Sequence, residues 1–343
     1  MFSSIVSTFY SPSTSTAHKI PDIDPADISF NVHQRVRAEQ LNIGGEYQNS
    51  VMYVTPKTMD KAQLAARVME TIQSAYLPHG AGNQLASVVG SKGESFANTV
   101  VMRDEARQLR GRLTGFGSKP QYVNAHIAAT YKGGQCEEIA SLVYAELAKR
   151  GSKFPVSIAT FNPTGKSEDK HIVALLGDPL GREKDSTVVV DAWQHFPVVT
   201  LLDKTRFPVT PDPDMDSVHF QVAPDPDAAK ALDTVVPYDR SYINNSLREA
   251  DAFSGSDDDE KYGSLDDKNF VARNVSQYKN TMWNELTIAA DPSTRFTTDS
   301  STPAHSWDSV RGDIMMQRLN SVAEYDKAYK KDNALYTPAR KII

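Results

Sequence analysis

Residues 136–193 constrain the fold more than any other segment, because a helix pattern is followed there by three short strand patterns. The helix is predicted over residues 136–150, and Gly151 ends it. The strand patterns are PVSIATF (155–161), HIVALLG (171–177) and TVVVDAW (187–193). Because the polar loops between these strands are short, neighbouring strands should pair antiparallel. We therefore predict an α+β fold: a central antiparallel sheet of four or more strands, with the first helix packed on it.

Further helices are predicted on both sides of this segment. The sequence TMDKAQLAARVMETIQSAYL (58–77) repeats apolar residues at helical spacing, and residues 101–110 form a second such pattern. Near the carboxyl end, WDSVRGDIMMQRLNSVAEYDKAYKK reads as helical, with Ser306 before it as a candidate cap.

Composition divides the 343 residues into four regions. Residues 1–45 are predicted to be a flexible leader, rich in Ser, Thr and Pro, of a kind compatible with an export signal. Residues 46–205 are predicted to form the core, which contains the candidate catalytic residues. Residues 206–268 are predicted to be acidic, Pro-rich loops or a linker, and residues 269–343 a mainly helical extension. The spacing of Asp212, Asp214 and Asp216 resembles a calcium loop, but its glycine and closing glutamate are missing.

Charge and cysteine content exclude several classes of protein. The net charge is −6 and no basic stripe is present, so nucleic acid is not the expected partner. No run of about 18 apolar residues predicts a membrane span. One cysteine cannot form an internal disulfide; a free thiol suits a reducing compartment, although a secreted protein without disulfides would look the same. No metal-binding spacing occurs, so we predict neither a metal nor a cofactor.

That single cysteine, Cys136, follows Gly-Gly-Gln directly and opens the predicted helix. A thiolate is the reactive form of cysteine, and the partial positive charge of a helix N-terminus favours it. The glycines, Gly133 and Gly134, are expected to let the backbone turn sharply into the helix. Cys136 is therefore a candidate nucleophile.

Two further residues complete a candidate triad. His171 opens one predicted strand after a polar loop, and Asp191 ends the apolar run of another. If those strands are neighbours, Asp191 can orient the imidazole and His171 can take the thiol proton. Each residue also has a plain structural interpretation: a buried cysteine, a strand-edge histidine, a turn-capping aspartate. Their order and context together favour the catalytic interpretation.

Two other histidines and two side-chain amides are further candidates for the same site. His195 is an alternative base, and His126 could line a cleft or play a structural role. An oxyanion needs a second donor besides the Cys136 amide, and Asn124 and Gln135 are the candidates close in sequence.

The motifs resemble a known superfamily. GQC at the start of a helix, then a strand beginning with histidine and a run ending in VVVDAW, resembles the transglutaminase-like core of the papain-like cysteine enzymes. Bacterial type III effectors of the HopX/AvrPphE type are similar in this plan and in their Ser/Thr-rich leader. The resemblance covers about 70 residues. It carries Cys136, His171 and Asp191 over as catalytic residues, with Gln135 and Trp193 as motif neighbours and cleft candidates.

The resemblance implies a cysteine protease or glutamine deamidase acting on a host protein, secreted by a bacterium into the host cytosol as a virulence effector. A secretion chaperone would be a second partner at the N-terminus. Glu137, Ile172 and Trp193 stand where transglutaminases usually have other residues, which favours hydrolysis or deamidation over crosslinking. The alternatives are a non-catalytic host-interaction protein and an acyltransferase with the same triad.

Overall fold

The structure is a computed structural model. It describes residues 31–41, 43, 45–113, 119–162, 170–181, 184–206, 212–213, 219–221, 223–253, 262–278, 282–283, 288–307 and 312–329. The α-helices are α1 (Val32–Arg35), α2 (Pro56–Thr71), α3 (Leu85–Gly90), α4 (Glu94–Arg112), α5 (Pro120–Tyr131), α6 (Cys136–Arg150), α7 (Pro226–Asp233), α8 (Arg240–Phe253), α9 (Phe270–Tyr278) and α10 (Gly312–Tyr329). The strands are β1 (Val51–Tyr53), β2 (Ser152–Phe161), β3 (His171–Leu176), β4 (Val188–Val190), β5 (Thr200–Leu201), β6 (Asp212–Pro213), β7 (His219–Gln221) and β8 (Arg295–Thr297).

An antiparallel sheet lies at the centre of the molecule. Its strand order is β5-β4-β3-β2-β6, and β7 also pairs with β2. The predicted strands β2, β3 and β4 are sequential neighbours, all antiparallel. The α+β class with an antiparallel sheet is therefore confirmed. A second, two-stranded sheet pairs β1 with β8 in parallel.

Both faces of the central sheet bury apolar side chains, which explains why its strands are apolar at nearly every position. On β4, Val188 and Val190 face the main core while Val189 faces a second, smaller cluster. Side chains alternate between faces along a strand, so a strand covered on both sides needs apolar residues throughout. Helix α6 packs on the main-core face, and the side chains of its middle turns are buried.

Helix α2 changes form at its end. Thr55 caps its start by accepting the Thr58 N–H, and Pro56 occupies the first turn, where a missing N–H costs nothing. After Thr71 the chain continues as one π-helical turn, Ile72–Tyr76. Such turns rotate the side chains that follow relative to an α-helix. Here the turn carries Gln73, whose amide Nε2 donates to the Ala192 carbonyl at 3.2 Å.

Residues 206–268 contain more regular structure than the sequence indicated. Helices α7 and α8 and strands β6 and β7 lie in this region, and α7 packs against α6. Asp225 and Pro226 belong to a sequence that predicts a linker, but they start a helix: Asp225 accepts the backbone N–H groups of Asp227 and Ala228, and Pro226 occupies the first turn. Asp212, from the calcium-like spacing, pairs with β2, whereas Asp214 and Asp216 lie outside the described residues.

Three other boundaries in the structure differ from the predicted ones. The leader was predicted to reach residue 45, but Val32 and Leu41 are fully buried with Phe196 in a separate apolar cluster; residues 1–30 lie outside the described residues. The helix predicted over 101–110 is the longer α4. The last helix begins at Gly312, so Ser306 does not cap it.

Within the part of the chain that the structure describes, no helix combines the length and the apolar character needed to cross a membrane.

Candidate active site

The chain approaches α6 through a tightly packed glycine pair. A β-carbon on Gly133 would lie 2.7 Å from the backbone carbonyl carbon of Asn98, and the Gly134 N–H donates to Thr99 Oγ1 at 2.9 Å. Neither glycine has a positive φ. The sequence predicts that these glycines are needed for a sharp turn. The structure gives a different reason for them: only glycine lets this segment lie directly against α4.

Cys136 is the first residue of α6 and is partly exposed. The helix start beside it is capped by a neighbour, because the Gln135 N–H donates to Glu138 Oε2 at 2.9 Å. Arg103 Nη2 in turn lies 3.2 Å from that same Glu138 oxygen. The negative charge introduced by Glu138 is therefore offset by a cation rather than left beside the thiol.

His171 lies between the thiol and a carboxylate. It is the first residue of β3 and pairs with Phe161 of β2, so the sheet fixes its backbone. Its Nε2 lies 2.6 Å from Asp191 Oδ2, and the ring also forms a hydrogen bond with the Cys136 side chain. The three residues predicted to form a triad are brought together in the order Cys136, His171, Asp191.

Electrostatics favour the charged imidazole. Burial by itself lowers the pKa of His171, but the carboxylate of Asp191 and the hydrogen bonds to Asp191 and Cys136 outweigh it and raise the pKa to about 10. The side chain is 12% exposed, so water screens this interaction little. His171 is accordingly an imidazolium at neutral pH, placed to stabilise a thiolate.

Asp191 is held by three donors. Besides His171, Oδ2 accepts the Gln194 side-chain amide at 2.7 Å, and Oδ1 accepts the Trp193 backbone N–H at 3.1 Å. Asp191 is 4% exposed, and burying a carboxylate is costly unless hydrogen-bond donors of this kind surround it. The strand predicted to run to 193 ends at Val190, and the following turn wraps its own polar groups around the carboxylate.

Trp193 forms one wall of the site. Its ring centroid lies 4.9 Å from that of His171, and its indole Nε1–H donates to Asn83 Oδ1 at 3.0 Å. The Gln84 amide donates to the Trp193 carbonyl. Asn83 and Gln84 therefore hold the tryptophan against the histidine.

A residue from far along the chain backs this wall. Trp283 packs edge-on against Trp193, with ring centroids 5.4 Å apart. Its backbone joins the same segment: the Trp283 N–H donates to the Asn83 carbonyl, and the Leu85 N–H donates to the Trp283 carbonyl. The site thus depends on a residue outside the predicted core of 46–205.

The remaining predicted residues lie in different places. Gln135 is half-buried next to the thiol. Asn124 lies seven residues before the end of α5, about 10 Å along the helix axis from the loop that leads to Cys136. His126 Nδ1 lies 2.7 Å from the Ala231 carbonyl at the contact of α5 with α7.

His195 is 3% exposed, and burial together with the charge of Arg318 lowers its pKa to about 3. His195 therefore lies in the interior as a neutral imidazole.

Sequence reasoning missed three residues of the site. Gln194 had a visible signal, because an amide follows the aspartate by three residues in an otherwise apolar turn. Asn83 and Trp283 had none, since each lies at least 50 residues from the motif that it supports. Only the folded chain places them there.

Within the described ranges, no group of three or more His, Cys, Asp or Glu side chains is arranged to hold a metal ion. Comparison of the chain with protein-family models, with curated proteins and with solved structures gives no match.

Proposed function

We propose that this protein is a cysteine-dependent hydrolase that attacks an amide carbonyl of a protein substrate, with Cys136 as nucleophile, His171 as general acid and base, and Asp191 as its orienting carboxylate. The observation that carries the proposal is the position of His171, which is hydrogen-bonded to both Asp191 and Cys136. A cysteine, an imidazole and a buried carboxylate in this order form an activated nucleophile.

In the first half of the reaction, the Cys136 thiolate attacks the amide carbon and a C–S bond forms. The π electrons of the C=O bond move to oxygen, which gives a tetrahedral oxyanion. When the C=O bond re-forms, the C–N bond breaks and His171 gives its proton to the departing nitrogen. The products are a thioester on Cys136 and an amine, or ammonia if the amide is a glutamine side chain.

In the second half, water attacks the thioester carbon while the now neutral His171 takes one of its protons. The C–S bond breaks, the thiolate returns and a carboxylic acid leaves. The hydrogen bonds that Trp193 and Gln194 donate to Asp191 keep the carboxylate fixed through both halves. His171 therefore presents the same face to the thiol throughout.

The resemblance to the papain-like and transglutaminase-like enzymes supports the same assignment. A helix that carries the cysteine at its start packs on an antiparallel sheet; β3 carries the histidine, and the aspartate directly follows the end of β4. With the Ser/Thr-rich leader, this plan supports a bacterial effector that modifies a host protein by peptide cleavage or glutamine deamidation. Both reactions share the first half described above.

A non-catalytic interaction protein would not need His171 to contact the thiol. If the triad residues were only structural, the imidazole would have no reason to face a partly exposed thiol. Its hydrogen bond to Cys136 and its raised pKa therefore favour the enzyme over the interaction protein.

The test is the rate at which iodoacetamide alkylates Cys136, from about pH 4 to about pH 9, in the native protein and in His171→Ala. We expect alkylation at neutral pH to be clearly faster in the native protein than in the variant, because the variant lacks the imidazolium that lies beside the thiol. His126→Ala is a matched control, because that imidazole bonds a backbone carbonyl between α5 and α7. A thiol that is equally inert in all three proteins at acidic and neutral pH would sink the proposal.

A further inference from the structure

The reaction above generates an oxyanion, and the described site offers one ready donor for it. The backbone N–H of Cys136 lies in the first turn of α6, where helix N–H groups lack intrahelical partners. Within the described part of the chain, no hydrogen bond to this N–H is formed. One donor rarely suffices, because oxyanion sites typically combine two or more preorganised groups.

The geometry points to the side-chain amide of Asn83 as the second oxyanion donor, through its Nδ2–H group. This inference rests on the proposed function. It assigns a catalytic role to a residue 53 positions upstream of the nucleophile, counted from 83 to 136.

Asn83 is held from two sides, through its chain neighbour Gly82 and through Trp193. Its chain neighbour Gly82 donates its N–H to the Gly134 carbonyl at 3.1 Å, only two residues before Cys136. On the other side, Asn83 Oδ1 accepts the indole N–H of Trp193, whose ring lies against His171. The side chain therefore lies between the approach to the nucleophile and the wall behind the histidine.

The orientation of the Asn83 amide follows from the chemistry of its partner. An indole nitrogen can only donate, so the atom that faces Trp193 has to be the oxygen. Nδ2 must then point the other way. Among the described residues, Nδ2 has no hydrogen-bond partner. Unlike Oε1 of Gln73 and Oε1 of Gln194, it is not a fully buried atom without a partner, so it remains accessible. A fixed, unpaired donor at the site is what an oxyanion requires.

The other nearby side-chain amides already donate hydrogen bonds within the protein. The Gln84 Nε2 donates to the Trp193 carbonyl, the Gln194 Nε2 to Asp191, and the Gln73 Nε2 to the Ala192 carbonyl. Those three hold the turn after β4, whereas the Asn83 nitrogen is left for a substrate.

The experiment compares two reactions of the same thiol. With p-nitrophenyl acetate, the thiolate attacks a carbonyl, an oxyanion forms, and p-nitrophenolate leaves as the acetyl thioester is made. With iodoacetamide, a C–S bond forms directly as iodide leaves, and no oxyanion arises. The ratio of the two rate constants thus reports oxyanion stabilisation and cancels any change in the amount of thiolate.

We expect this ratio to fall on the order of 100-fold in Asn83→Ala. Asn83→Asp, which keeps an oxygen for the Trp193 indole but removes the donor, should show a similar fall and decides the matter if the alanine variant does not fold. Asn124→Ala is the matched control: it deletes a side-chain amide on α5, away from the thiol, and should leave the ratio unchanged. An unchanged ratio in the folded Asn83 variants overturns the inference alone. A native thiol inert to both reagents overturns the proposed function and this inference with it.

Discussion

Trp283 lies edge-on against Trp193, 5.4 Å between ring centroids and at an interplanar angle of 82°. Trp193 in turn covers His171. The two tryptophans are 90 residues apart in sequence, counted from 193 to 283. The histidine of the candidate triad is therefore supported by the part of the chain that composition alone assigned to an extension.

Removing that support should weaken the fold as well as the site. We expect Trp283→Ala to lower the free energy of unfolding by about 2 kcal/mol, because a half-buried ring is lost from an aromatic contact. Urea denaturation measures this change. Tyr53→Ala is the matched control: its ring is 67% exposed, so its effect should stay within about 0.5 kcal/mol. Equal effects in the two variants would mean that Trp283 does not brace the site.

Cys136→Ala separates chemistry from packing. The thiol is partly exposed and lies at the border of the main core, so its loss leaves little cavity. We expect the free energy of unfolding to change by no more than about 1 kcal/mol, while acylation by p-nitrophenyl acetate disappears. Thermal melts and a single-turnover assay provide the two readouts. A loss of several kcal/mol would instead indicate a core residue.

The raised pKa of His171 depends on the charge of Asp191. In Asp191→Asn the carboxylate is replaced by a neutral group of the same shape, so burial should dominate and the pKa of His171 should fall from about 10 to below its ordinary value. Imidazole chemical shifts followed by NMR as the pH is varied measure this pKa directly. Retention of the high value in the variant would show that another group charges the ring.

His195 should make the protein sensitive to acid. Burial and Arg318 lower its pKa to about 3 in the folded state, so between that value and about 6.5 the unfolded chain binds the extra proton. Stability is then fully present above pH 6.5 and is lost as the pH falls through this window, by at most about 1.4 kcal/mol per pH unit from this group.

The measurement compares the free energy of unfolding of the native protein and of His195→Gln at several pH values in that window. We expect a shallower pH dependence in the variant, because its side chain does not titrate. Parallel curves would contradict the assignment of a neutral, buried His195.

The central elements could be predicted because their signals are local. Helix α6 begins at Cys136 and ends before Gly151 as the sequence indicated, and β2 and β3 pair through a short connection. The catalytic role of Cys136, His171 and Asp191 stays a prediction, although the fold brings them together.

Other features depend on contacts between distant segments and were missed for that reason. Trp283 and Asn83 meet Trp193 only after the chain folds back on itself. Helix α7 was hidden because Asp225 and Pro226, which commonly break structure, here form the start of a helix.

The parallel pairing of β1 with β8 joins segments that lie far apart in the sequence. Val51 pairs with Arg295, which are 244 residues apart in the chain. Contacts of such long separation form late, because a large loop has to close before they contribute. During synthesis the thiol emerges from the ribosome well before Trp283 and β8 exist. The nascent chain therefore passes through a stage in which the nucleophile is made but its supporting wall is not, and reactivity should arrive only with the last third of the sequence.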